Sequence, residues 1–371
     1  MNFFITFSLL VLIVYAITII SFALGWFKLT CFKHHNHPVS ESVSIVIACR
    51  NEEENIDLLI QSLLQQDYPK ENTEIIVVDD HSEDNTYPVL KKYAAKHKQL
   101  KILQNSAPRQ GKKAALAYGI QHSTSEIIVS TDADCRMGKK WLSELVAYYT
   151  IHKPKMLIAP VAIEPSTNIF ARLQALEFTS LITTGAGAAG INKPIMCNAA
   201  NLLFKKSLFN KNALYANYAS GDDIFLLLQA KKKNNQDIHF IKSGEAIVYT
   251  KPSQTLSGFI NQRIRWTSKS KAYRDFDIII TALTVAASNF LLAFWLIHTI
   301  FKPNEWPLFV LLFAIKSLAD LSILIPGTRF FHQQTLLWLF LPLQIFYPFY
   351  IVATTFMGWI TNFSWKGRKL R

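Results

Sequence analysis

The sequence predicts an α/β fold, a mixed but mostly parallel sheet with helices on both faces, framed by transmembrane helices. Three observations predict it. Short apolar runs alternate with helix-periodic segments between residues 42 and 130, the pattern of a parallel sheet covered on both faces. Each run ends in a cluster of Asp, Asn, Arg or Lys, and in an open α/β sheet such ends converge on one crevice. Long stretches with almost no charge stand near both ends of the chain, and a composition of 50% hydrophobic and 18% charged residues agrees with part of its 371 residues lying in lipid.

The net charge of +13 points to anionic partners: nucleic acid, anionic lipid or a phosphate-bearing substrate. No helix-turn-helix, zinc-finger or RNA-binding signature accompanies it, so no nucleic-acid partner is expected. Cys31, Cys49, Cys135 and Cys197 are widely spaced and form no CxxC pair, as expected of reduced, packed thiols in a cytosolic domain.

In chain order, residues 2–27 carry no charged side chain and are long enough to cross a bilayer. A cleaved signal peptide is the competing reading, but its basic leader and shorter apolar core are missing. Lys28 and Lys33 follow, which places that end in the cytoplasm. Residues 42–49 form the first strand, ending at Arg50, Asn51 and Glu52, and Ile56, Leu59, Ile60, Leu63 and Leu64 recur at helical spacing. The second strand, 74–78, runs into Asp79-Asp80-His81-Ser82; a third, 101–103, precedes Arg109-Gln110-Gly111-Lys112; a helix covers 114–122. The fourth strand, 126–130, runs into Thr131-Asp132-Ala133-Asp134, where two carboxylates one residue apart suit a hard divalent cation and an anionic phosphate ligand. A plain polar turn is the alternative for any one of these loops, but four in succession favour a site.

Further on, residues 156–161 read as a strand and 170–183 as a helix, followed by a flexible small-residue stretch with Gly185, Gly187 and Gly190: a close-packing or acceptor-side loop, or a plain linker. Asp222 and Asp223 open an apolar helix, where carboxylates also serve as ordinary caps. Gln262-Arg263-Ile264-Arg265-Trp266 joins planar donors suited to phosphate with a flat face suited to a sugar ring. The same stretch reads as a basic helix on the membrane surface, with Arg263, Lys269, Lys271 and Arg274 toward head groups, and the two readings are compatible.

The segment from Ile47 to Asn55, the Val78-Asp79-Asp80-His81-Ser82 turn, Gly111-Lys112, Asp132-Ala133-Asp134, Gly221-Asp222-Asp223 and the QxxRW pattern ending at Trp266 together resemble membrane-bound family 2 glycosyltransferases. The resemblance implies the GT-A fold and a bound nucleoside diphosphate sugar, most commonly uridine-linked. It implies that Asp79 faces the base, with Asn51, Glu52 and Asp80 in the same nucleotide-sugar site. It sets Asp132 near the ribose or uracil and Lys112 near base or phosphates. Asp134, with Asp132, would hold Mg²⁺ or Mn²⁺. Asp223 would be the base that deprotonates the acceptor, with Asp222 as the alternative. Asn198, Asn201, Gln262, Arg263, Arg265 and Trp266 would meet acceptor or diphosphate.

The expected layout is a transmembrane helix at 1–27, a linker at 28–41, the GT-A domain at 42–275 with an interfacial helix near 253–274, about three hydrophobic segments within 276–362, and a basic tail at 363–371. Three full spans would carry that tail outward, against the positive-inside tendency, so a re-entrant segment or bent hairpin is expected among them. The function implied is inverting transfer, at the bilayer, to a lipid, lipid-linked or glycan acceptor, with the catalytic domain cytoplasmic. A processive polysaccharide synthase is the alternative, and a non-catalytic nucleotide-sugar-binding scaffold a second. A transporter, suggested by Lys316 and Asp320 at i and i+4, does not account for the large hydrophilic middle.

Overall fold

The computed structural model describes residues 2–34, 40–106, 111–209, 222–269, 273–360, 363–365 and 368–370. Arg109, Gln110, Gly221, Lys271 and the side chain of Asp222 lie outside the described residues. The strands of the two larger sheets are β1 (Val43–Cys49), β2 (Thr73–Asp79), β3 (Leu100–Gln104), β4 (Ile127–Ser130), β5 (Cys135–Met137), β6 (Met156–Ile158), β7 (Val161–Ile163), β8 (Leu202–Lys205), β9 (Ile238–Phe240) and β10 (Val248–Thr250). The α-helices are α1 (Asn2–Lys28), α2 (Ile56–Leu64), α3 (Thr86–Ala94), α4 (Lys112–His122), α5 (Trp141–His152), α6 (Ile169–Gly190), α7 (Asp222–Lys233), α8 (Leu256–Ser268), α9 (Phe276–Phe301), α10 (Trp306–Phe330) and α11 (Phe340–Ile360). The basic end of the chain holds two further short strands, Phe363–Trp365 and Arg368–Leu370.

The chain divides into two compact units. The sheet unit comprises Leu29–Glu164, Met196–Lys251 and Trp365–Arg371. Its seven-stranded sheet has the order β3-β2-β1-β4-β8-β6-β9, with β8 antiparallel to both neighbours and the remaining pairs parallel. Strand β1 is rich in β-branched residues and buried on both faces, as a central parallel strand must be. A second sheet, β5-β10-β7, stands beside it, with β10 antiparallel to β5 and parallel to β7. The single strand expected over 156–161 is in fact β6 and β7, one in each sheet. The chain turns at Pro160, whose carbonyl accepts from Asn201 Nδ2 and from the Val248 amide.

The helical unit comprises Met1–Lys28, Pro165–Ile195 and Pro252–Ser364. Four of its segments, Phe3–Lys28, Phe276–Phe301, Pro303–Phe330 and Gln334–Gly358, are long and apolar enough to cross a membrane. Leu12, Leu291, Leu292, Trp295, Phe309 and Leu312 form a shared core, while Phe7, Ile17, Leu318 and Phe346 point outward, as on a lipid-facing surface. A polar knot sits inside: Asp320 accepts from Tyr15 Oη at 2.5 Å, Lys316 Nζ at 2.7 Å and Gln344 Nε2 at 2.6 Å. Lys316 is 0% exposed.

The small-residue stretch after Thr183 is not flexible but the last two turns of α6. It packs against α1 so tightly that a Cβ on Gly187 would lie 2.0 Å from the Phe22 carbonyl oxygen, and one on Gly25 would lie 2.0 Å from that of Gly187. Glycine and alanine therefore serve close helix approach here, as small residues do between membrane helices. Gly187→Val should lower the thermal unfolding midpoint of the detergent-solubilised protein, by a loss of about 3 kcal/mol or more because backbone rather than a movable side chain fills the space; an unchanged melting curve would contradict this packing.

Candidate active site

The parallel order brings the carboxyl ends of β1, β2 and β4 to one edge. The strands flanking β1 are reached by connections running in opposite directions, which opens a crevice at the β1–β4 boundary. Two loops there are stitched together by Arg50. Its buried guanidinium donates to the carbonyls of Asp80 at 2.9 Å and His81 at 2.7 Å, and to Glu83 at 2.8 Å. Asn51 and His81 occupy left-handed backbone, φ +50° and +60°. The Asn51 amide donates to Ser82 Oγ, and its side-chain oxygen accepts from the Glu83 amide. Glu52 accepts from Asn55 Nδ2. Asn51 and Arg50 thus shape the rim, and Arg50 was absent from the candidates drawn from the sequence.

Asp79 and Asp80 diverge. Asp80 is 0% exposed, accepting from Asn105 Nδ2 at 2.6 Å and from the Gly111 amide at 2.9 Å. Gly111 itself sits at φ +111°, which a side chain would strain. Asp80 is thus held from within the protein, its oxygens bracing β2 against the start of α4. Asp79 is 2% exposed; Oδ2 accepts from the Ser82 amide at 3.3 Å, and Oδ1 is buried with no hydrogen-bond partner among the described residues. Such an oxygen costs about 1–3 kcal/mol and marks a position suited to a ligand donor. Burial, followed by the Asp79 carboxylate, pushes the neighbouring Cys49 thiol up.

The turn after β4 presents Asp132 and Asp134. Lys112 Nζ, from the first turn of α4, lies 2.6 Å from Asp132 Oδ1. Asp134 Oδ2 accepts from Thr250 Oγ1 at 3.2 Å. Burial, then Asp134 and Asp132, hold the Cys135 thiol well above its ordinary range. Among the described residues no three His, Cys, Asp or Glu side chains cluster as a metal cage. The Asp132 and Asp134 carboxylates are nevertheless hard oxygen donors that fit Mg²⁺, which is commonly bound through one or two carboxylates plus substrate phosphates.

Asp223, in the first turn of α7, lines a cavity with Lys113, Ser130, Ala199 and Phe204. Lys113 and Ser130 are the chain neighbours of Lys112 and Thr131, but Asp79, Asp132 and Asp134 are not among the residues that line this cavity. The Lys113 ammonium also sits 4.7 Å from the Phe225 ring centroid. Asn198 caps the short helical turn before β8 by accepting from the Ala200 amide. Asn201 is held from within the protein. It is 0% exposed, takes Trp141 Nε1 at 2.9 Å, and donates to the carbonyls of Pro160 at 2.7 Å and Ala246 at 2.8 Å. That leaves it no free face for a sugar.

In the helical unit, α8 carries the Gln262–Trp266 pattern. Arg263, expected to meet head groups or a ligand, is 4% exposed. Its guanidinium is buried, paired with Glu177 through Nε at 3.1 Å and through Nη2, and stacked 4.4 Å from Phe259 and 4.2 Å from Trp266. Tyr350 Oη donates to the same Glu177 at 2.8 Å. Gln262, Arg265 and Trp266 are partly exposed.

Residues 44–211 match the family model described as Glycosyl transferase family 2. Glycosyltransferase AglE of Haloferax volcanii is 34% identical over 105 residues, covering 28% of this chain and 34% of AglE. A poly-beta-1,6-N-acetyl-D-glucosamine synthase of Staphylococcus epidermidis is 26% identical over 267 residues, 70% of this chain and 61% of the synthase. The chain thus spans less than two thirds of the length of either relative. The mannosyltransferase PcManGT from Pyrobaculum calidifontis, solved in complex with GDP-Man and Mn²⁺, shares the fold with a TM-score of 0.59 at 17% identity, over 95% of this chain and 98% of that one.

Asn201→Leu should destabilise the protein by roughly 3 kcal/mol or more, because it leaves a buried indole N–H and two carbonyls unpaired. Denaturant titration checks this, and a stable variant with a specific loss of acceptor affinity would restore Asn201 to the ligand set.

Proposed function

The chain carries a family 2 glycosyltransferase domain of GT-A fold, and on that premise we propose that it moves a sugar from a nucleoside diphosphate donor to a lipid, lipid-linked or glycan hydroxyl at a membrane surface, with inversion. The observation that carries this reading is the Asp132–Asp134 turn standing at the carboxyl end of β4, beside the β1–β4 crevice. Uridine is the expected nucleotide. The layout proposed is an anchoring α1, a GT-A domain on the cytoplasmic side, and a C-terminal membrane region.

Asp79 is proposed to accept the base N–H with its free Oδ1, orienting the nucleoside. Lys112 is proposed to exchange its hold on Asp132 for contact with donor phosphates or ribose. Asp134, aided by Asp132, would hold Mg²⁺ or Mn²⁺, which neutralises the charge of a departing nucleoside diphosphate. Asp223 is proposed to take the proton from the acceptor hydroxyl as that oxygen bonds to the anomeric carbon and the glycosyl–phosphate bond breaks. Base and leaving group then lie on opposite faces of the sugar, hence inversion, and no covalent sugar–protein intermediate is required. The similarity to the Staphylococcus synthase, which extends over 70% of this chain, favours a second reading as a processive polysaccharide synthase.

A donor screen on membranes containing the protein, with mass spectrometry of the lipid and glycan fractions, tests the proposal: one added sugar supports single transfer, a ladder supports the second reading, and no product with any donor rejects both. Asp223→Asn should cut kcat by about 10²–10⁴-fold with little change in donor KM. Near-normal turnover in that variant would move the base elsewhere.

A further inference from the structure

We infer that Thr250 is a positioning residue for the metal-side carboxylate: its hydroxyl holds one oxygen of Asp134 so that the other is left for a divalent cation. The inference rests on the proposed metal role of Asp134 and extends it to a residue 116 positions away in the chain.

Three constraints fix the direction of the Thr250 hydroxyl. Its backbone is held on both sides, paired with Cys135 of β5 and with Ile163 of β7. Its carbonyl accepts from the Glu164 amide at 3.0 Å. Its side chain is β-branched, which limits χ1 and lets a held backbone aim the oxygen. The next residue closes the strand end from the other side: Lys251 Nζ lies 2.5 Å from Asn55 Oδ1, in the loop that follows β1. The end of β10 is therefore anchored to the first loop and to the acidic turn at once.

The partner geometry agrees. Thr250 Oγ1 lies 3.2 Å from Asp134 Oδ2, whereas among the described residues Oδ1 has only the weak thiol of Cys135, at 3.8 Å. Asp134 belongs to a turn that the large sheet holds at Ser130 and the small sheet holds at Cys135. Without a side-chain donor its carboxylate has free rotation about χ2. A hydroxyl donor on one oxygen orients a metal-ligating carboxylate from behind, the usual task of such outer contacts, whose loss weakens metal affinity about 10–100-fold.

The test uses the purified full chain in detergent, with Mn²⁺ titrated in the presence of UDP and, separately, GDP, and free Mn²⁺ read by electron paramagnetic resonance. Thr250→Val keeps the shape and removes the hydroxyl; Thr250→Ser keeps the hydroxyl. The Val variant should bind Mn²⁺ at least about tenfold more weakly, with an unchanged melting temperature without metal, and the Ser variant should bind within about twofold of the parent. In transfer assays the Val variant should need proportionally more Mn²⁺ for half-activation while recovering most of its kcat at saturating metal. Equal Mn²⁺ affinity in the Val variant and the parent overturns the positioning role alone. Failure of the Ser variant to recover affinity also overturns it, since packing and not the hydroxyl would then matter. No Mn²⁺ binding by the parent with either nucleotide overturns the metal reading of Asp134 and this inference with it.

Discussion

The site depends above all on the parallel ladder on either side of β1. Cys49 pairs with Asp79 on one flank and Val46 with Ser130 on the other. Side chains alternate faces along a strand, so a slip of one residue in either ladder would turn the acidic ends away from each other. Burial of β1 on both faces makes such a slip expensive, because side chains fitted to one close-packed face would have to repack in the other. The acidic loops need little regular structure of their own, since the ladder delivers their first residue and short polar contacts do the rest.

Those contacts divide the acidic residues into two kinds. Asp80 and Glu177 are consumed by internal donors, the first by Asn105 and Gly111, the second by Arg263 and Tyr350. Asp79 and Asp134 each keep an oxygen with no strong donor among the described residues. The difference is physical: a carboxylate whose oxygens are saturated from within has nothing left for a ligand, however suggestive its place in the chain. Arg263 follows the same rule among the bases. A buried ion pair contributes little net stability, but removing either partner strands a charge, at a cost of about 3–5 kcal/mol. Arg263 and Glu177 thus fasten α8 to α6.

Much of this was legible beforehand, and the misses have common causes. Strands β1, β2 and β4 begin and end within about a residue of where the alternation of apolar runs and polar loops puts them, since long buried strands leave the strongest signal. Strands β5, β7, β9 and β10 are three residues each, too short for any period to register. Helix α5 is buried nearly all round, so it shows no polar stripe. The stretch around Gly187 looked loose because glycine signals both flexibility and close packing, and only a neighbour at contact distance separates the two. Asn201 and Asp80 have the same chemistry as ligand-contacting residues; what sets them apart is the set of donors and acceptors that folding brings to them from α5, the β6–β7 turn and the loops before β10 and α4. Thr250 sits in an ordinary strand sequence, and nothing local hints at its partner.

The knot at Asp320 bears on how the chain is made. Lys316 and Asp320 lie within an otherwise apolar helix. Charged residues at the centre of a helix entering lipid each oppose insertion by about 2.5–3.5 kcal/mol. Their shared ion pair relieves part of that within the helix itself, and Tyr15 from α1 and Gln344 from α11 supply the remaining donors. One donor is translated some three hundred residues before the pair and the other about two dozen after it. In a bilayer, the charges of α10 would therefore be fully satisfied only once α1 and α11 have both met around one carboxylate.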